Sequence, residues 1–153
     1  MTQRNPISEP FHLTSADGGN TAADGSVNAW SNIWKYKVPR GTTIILSPGN
    51  TFACYLEDTG PAEIGDRDAR VQILVRDPAE SQEIQAFGPA LYVASKEQQD
   101  MDLMATLRLP EPLHVPARYW IIIQAYDGVV IDASDSFYDI GCHRIREQVG
   151  AGV

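Results

Sequence analysis

The chain has 153 residues, 43% of them hydrophobic, enough for one domain with an apolar core of its own and no need of a disulfide or metal staple. An excess of 20 acidic over 12 basic residues gives a net charge of −8, which disfavours nucleic acid as a partner and favours solubility. No charged-then-apolar leader opens the sequence and no apolar run approaches the roughly 20 residues of a spanning helix, so neither a secretory signal nor a membrane partner is expected.

Residues 1–29 are rich in Thr, Ser, Asn, Asp, Gly and Pro and read as an extended polar arm outside the folded body. Such an arm reaches roughly 90 Å at about 3.3 Å per residue. Its larger apolar side chains, Ile7, Phe11 and Leu13, are the expected anchors on a neighbouring surface.

From Trp30 the pattern changes to short strands separated by turn residues. Trp34, Tyr36 and Val38 alternate with Lys35 and Lys37, and Pro39-Arg40-Gly41 ends the run. Thr42 to Leu46 follows, closed by Ser47-Pro48-Gly49-Asn50. Phe52, Cys54 and Leu56 alternate next, before a loop from Asp58 to Ala69. Arg70 to Asp77 gives the cleanest alternation, with Val71, Ile73 and Val75 on one face and Arg70, Gln72 and Arg76 on the other.

Two short strands are expected at Ile84 to Phe87 and Ala90 to Ala94, then a polar loop or single helical turn over Lys96 to Asp102. Leu103 to Leu109 alternates again. The prolines of Pro110 to Pro116 bar that segment from an interior ladder and suit a stiff crossing between sheets. Arg118 to Tyr126 is the densest run of aromatic and β-branched residues and reads as a central strand. Tyr119, Ile121, Ile123 and Ala125 share one face; Trp120, Ile122, Gln124 and Tyr126 share the other, which needs a cover from a loop, an arm or another subunit. A short strand at Val129 to Ile131 and a last strand from about Phe137 to Ile145 complete the set.

This pattern fits an all-β fold: an antiparallel two-sheet β-sandwich, jelly-roll-like, of about eight strands. The sandwich occupies 30–147, with the arm at 1–29 and a flexible tail at 148–153.

No catalytic, cofactor or metal set is expected. His12, His114 and His143 are too far apart in sequence for a ligand pair on one strand or helix, and there is no Gly-x-Ser-x-Gly elbow or phosphate-cradling glycine loop. Cys54 and Cys142 read as core thiols, with a disulfide open if their strands adjoin. Asp127, Asp132, Asp135 and Asp139 form the densest acidic region; turn chemistry explains them better than a calcium site. An enzyme would need a pocket joining Asp135 or Asp139 to His143. Among the aromatics, Trp34 and Tyr36 share the inward face with Val38. Trp120, together with Trp30, is expected to meet a partner.

A polar amino-terminal arm before an acidic β-sandwich with the series WKYKVPRGTTIILSPGNTFACYLED resembles the small auxiliary proteins that decorate the capsids of tailed viruses. The resemblance implies a structural role in the virion without catalysis: copies gathered at symmetry axes, often as trimers, clamping seams of a major capsid or other shell protein. A carbohydrate-binding or receptor-binding β-sandwich module is the alternative.

Overall fold

The computed structural model describes residues 7–20, 29–58, 70–85, 91–92, 101–126 and 131–147. Alternating apolar and polar residues between turn formers produce strands β1 (Ile7–Thr14), β2 (Gly19–Asn20), β3 (Trp30–Lys37), β4 (Thr42–Leu46), β5 (Thr51–Asp58) and β6 (Arg70–Arg76). They continue as β7 (Glu83–Gln85), β8 (Leu91–Tyr92), β9 (Met101–Thr106), β10 (Leu113–Val115), β11 (Trp120–Tyr126) and β12 (Ile131–Arg146), with no helix among the described residues.

Several of these strands lie end to end as broken halves of one ribbon. β4 pairs with Arg146 to His143, and β5 continues in the same direction against Ile140 to Ile131. β10 and β9 line up along β4 and β5 in the same way. β7 and β8 both run along β6. The break between β4 and β5 is the Ser47-Pro48-Gly49-Asn50 turn, where the Asn50 amide donates to the Ser47 carbonyl and Gly49 takes a φ of 83°. Two further bonds, Gly49 N to Leu107 O at 3.1 Å and Leu107 N to Asn50 O at 2.8 Å, tie this turn to the neighbouring ribbon.

Counted as ribbons in chain order, the sheet centred on β12 runs first, eighth, third, sixth, and the sheet centred on β11 runs second, seventh, fourth, fifth. All the pairings are antiparallel, and this order is a jelly roll, as the composition of turns and strands led us to expect. β2 adds a short outer rung to β3.

The core lies between the two inner faces. The β12 sheet contributes Leu13, Ile44, Leu46, Phe52, Val115 and Ile140, and the β11 sheet contributes Trp34, Tyr36, Val71, Ile73, Ile121 and Ile123. Trp34 is fully buried, stacks on Tyr36 and donates its indole N–H to the Ser15 carbonyl at 3.4 Å. Gly18 passes so close to Trp34 that a Cβ there would sit 2.5 Å from the indole Cε2.

Three local expectations are corrected. Residues 7–14, read as part of a free arm, form a strand paired with β12 from Ile7 opposite Arg146 to Thr14 opposite Asp139, and Leu13 is fully buried in the core of its own chain. Polar composition hid this strand because only one of its faces meets the core. The proline segment does not cross between sheets throughout: Leu113–Val115 is an edge strand, where a flanking proline costs no ladder bond, and the crossing is the turn Pro116 to Tyr119 with Arg118 at a φ of 72°. The last strand is one 16-residue element, because β5 supplies a partner for its first half. Cys54 and Cys142 are free and buried, the core thiols expected, and they do not adjoin: Cys54 faces Tyr138 whereas Cys142 faces Phe11. The expected loop at 59–69 and tail at 148–153 lie outside the described residues.

Candidate interaction surfaces

A jelly roll offers two outer sheet faces and its sheet edges, and each is built differently here. On the outer face of the β11 sheet, Trp120 is half-buried with the Lys35 ammonium 4.4 Å and the Lys37 ammonium 5.1 Å from its ring centroid. Lys35 also reaches Glu80 at 2.7 Å, and Arg76 binds Glu83 through two nitrogens. Glu80 takes a φ of 56° in the turn after β6. That turn is wound around Asp77, whose carboxylate accepts from the Ser81 and Gln82 amides and the Ser81 hydroxyl, bonds that hold its pKa below the usual carboxylate value.

The same face carries a polar row, in which Gln72 donates to Gln124 at 2.7 Å and Gln124 to Asn32 at 2.7 Å. Between these groups, by register, lie Ile122 and Leu74, both shut off from solvent. The expected cover for the second face of the central strand therefore includes long side chains from its flanking strands. At the far end Trp30 is half-buried edge-on to Tyr126, with ring centroids 5.5 Å apart.

The exposed edge of β1 is blunted. Pro10 has no N–H, the Thr14 N–H is taken by Asp17 Oδ2 at 2.8 Å, and the Ser15 N–H turns inward to Tyr138 O. Along the inward side of β1, Ile7 is 43% exposed, Phe11 is half-buried beneath the Arg144 guanidinium, and Leu13 enters the core. Glu9 bridges Arg144 at 2.6 Å and Arg146 at 2.8 Å, and these cations hold its carboxyl below the usual range. The expected contact residues thus fall into two groups, Ile7 and Phe11 with Leu13 along β1, and Trp30 with Trp120 at opposite ends of another face.

The outer face of the β12 sheet was not singled out from sequence. It exposes Phe137 to 64%, next to Tyr55 with ring centroids 6.3 Å apart, and it carries His12, His114 and His143. His143 and His114 flank Ile45 on either side, and His12 contacts Asp139 at 2.6 Å. Phe137 was overlooked because its side of the strand depends on register, which DSFYDIG does not disclose.

Asp139 and His143 stand on this open face, both accessible to solvent. The side chains of Asp127, Asp132 and Asp135 lie outside the described residues. Among the described residues no group of three or more His, Cys, Asp or Glu side chains is placed to hold a metal ion. Cys142 is pushed up to about 12, chiefly by burial, so its thiol stays protonated.

The sequence matches no protein-family model and no curated protein. Its fold does match a solved one. VP17, a capsid protein of bacteriophage P23-77, superposes with a TM-score of 0.52 at 7% identity over 97% of this chain and 100% of that one. The VP16-VP17 complex of the two major capsid proteins of the same phage gives 0.47 at 7% identity over 92% and 99%. At such identity the likeness to VP17 is one of fold.

Proposed function

We propose that this chain is a structural component of a viral shell, acting by occupying a position and holding neighbours rather than by chemistry. The observation that carries the reading is the end-to-end correspondence of a single jelly roll with VP17, a capsid protein, which leaves almost none of either chain over. The open outer face of the β12 sheet supports it, since an exposed aromatic ring is a common anchor of protein contacts. The neighbours would be a major capsid or other shell protein, and the location the virion.

The narrower role is that of a decoration or minor capsid protein that self-associates, with a trimer as the form to look for. Ile7 and the half-buried Phe11, Trp30 and Trp120 are the side chains proposed to meet shell neighbours; Leu13 is committed to the chain's own core. A carbohydrate module is less well supported, because Trp34 and Tyr36 are buried and Trp120 lies beneath two lysines.

The test is quantitative mass spectrometry of virus particles purified from the source of the gene. The protein should co-purify with intact particles at a fixed stoichiometry to the main shell protein, and that ratio separates a decoration protein from a shell-building one. Absence from washed particles would sink the proposal.

A further inference from the structure

We propose that copies of this chain associate end to end, the pole of one copy that carries Lys37, Arg40 and Arg118 meeting the pole of the next at which β5, β9 and β12 place Glu57, Asp58, Asp102 and Asp132. The two poles follow from the topology. β3 ends at Lys37 and β4 starts at Thr42 opposite Arg146, so the link between them lies where β12 ends. Backbone bonds from Val38 to Arg118 and Tyr119 bring the turn into β11 to the same pole. The other pole is where β5 ends and β12 begins, with Asp132 opposite Glu57, Ile131 opposite Asp58 and, on the next strand, Asp102 opposite Tyr55.

Positive charge is left over at the first pole. Other cations near it are already engaged: Lys35 pairs with Glu80, Arg76 with Glu83, and Arg144 and Arg146 with Glu9. Lys37, Arg40 and Arg118 are exposed, and none of them forms an ion pair with a carboxylate among the described residues. Glu147 bonds its amide to the Gly41 carbonyl at 2.8 Å without pairing with Arg40. Arg118 takes a φ of 72°, a costly conformation for arginine, in a turn fixed by its amide bond to the Val38 carbonyl at 2.7 Å. These three cations stand on a chain whose total charge is −8.

Charge complementarity selects a second copy as the occupant. The strand ends of β5, β9 and β12 at the far pole bring Glu57, Asp58, Asp102 and Asp132 together with no lysine or arginine among them, and Arg70 is the one cation that register adds from β6. The poles cannot neutralise each other within one chain. Along β12 they stand about 45 Å apart at about 3.3 Å per residue, several times the screening length of about 10 Å at 0.1 M salt. Two copies in line bring opposite charges within that length. A nucleic acid would meet the cations but also the repulsion of the acidic body. Because the two poles differ, the contact is heterologous and repeats from copy to copy, closing into a ring or continuing as a row.

The contact would supply one joint in the shell reading above, but it is measured on the isolated chain. Its failure leaves that reading standing, and absence from particles would leave the contact standing. Sedimentation velocity of the full chain is the experiment. We expect association at about 0.1 M salt that weakens at least about tenfold at about 1 M, where the screening length falls to about 3 Å. Arg118→Gly removes the charge and suits the left-handed backbone, so it should weaken association about tenfold with unchanged melting. Two double reversals complete the test, Arg40→Glu with Arg118→Glu, and Asp102→Lys with Asp132→Lys. Each alone should be folded by circular dichroism and monomeric, and an equal mixture of the two should associate. Both stay net negative, since each moves the total by only four units from −8, so overall attraction cannot produce the rescue. A chain monomeric at every concentration, full association by Arg118→Gly or by either folded double variant, or a mixture that stays monomeric overturns the proposal. So does binding of a labelled single-stranded oligonucleotide that Arg118→Gly abolishes, since the pole then belongs to a nucleic acid.

Discussion

The outer faces of the two sheets handle exposed strand surface in opposite ways. The β11 face hides two aliphatic side chains, Ile122 and Leu74, among a lattice of amides, lysines and carboxylates that pair with one another. The β12 face leaves Phe137 in solvent beside Tyr55, with no cover from its own chain among the described residues. Self-paired charges have less to offer a partner, because any docking must first break contacts that the face already makes. An exposed aromatic ring makes no such contacts that must be broken first, and it gains apolar burial on being covered. The contrast teaches that the second face is the one the fold leaves unfinished.

Truncation should give the largest difference between the two. Leu74→Ala on the β11 face is expected to cost about 2–5 kcal/mol in denaturant unfolding, as for a core residue, while Phe137→Ala stays within about 0.5 kcal/mol. Similar losses at both sites would erase the contrast. Next in size, Gln124→Met removes two side-chain hydrogen bonds from a buried row and should cost about 1–3 kcal/mol; a neutral result would mean the amide row is replaceable by apolar packing.

Glu80→Gln comes third. The ion pair to Lys35 is partly exposed, so the expected loss is about 0.5 kcal/mol and should shrink in high salt. A loss that is independent of salt would point instead to the turn conformation of Glu80.

The smallest effect concerns acid. Asp77 has a folded pKa below its ordinary value, so the stability it contributes is present above that ordinary value, 3.8, and is lost as pH falls through the lowered one. Because Asp77 winds the turn that presents Glu80 to Lys35, acidification should loosen the β11 face first. Trp120 fluorescence would report it below pH 3.8, ahead of global unfolding, and Asp77→Asn should remove the step. Coincident changes at Trp120 and in far-ultraviolet circular dichroism would deny the β11 face any separate acid response.

Much of the body was legible because its strands are buried on one face and alternate. Val71, Ile73 and Val75, and likewise Trp34, Tyr36 and Val38, point inward as their spacing predicts. The first strand was not legible. ISEPFHLT places a proline and four polar residues among its eight, and it is held by the long edge of β12 and by the burial of Leu13, neither visible locally. The interaction faces were equally hidden. Trp120 drew notice as a large aromatic, but whether lysines lie over it depends on the register of β3 against β11.

Residue order alone determined that the chain forms short antiparallel strands with a core of β-branched and aromatic residues, because alternation and turn chemistry act over a few neighbours. Tertiary structure decided which strands share a ribbon, that residues 7–14 belong to the sandwich, and that three histidines and Phe137 gather on one surface. Those outcomes depend on pairing register between segments as much as 139 positions apart, from Ile7 to Arg146 (146 − 7), and a shift of one residue would turn every side chain to the other face.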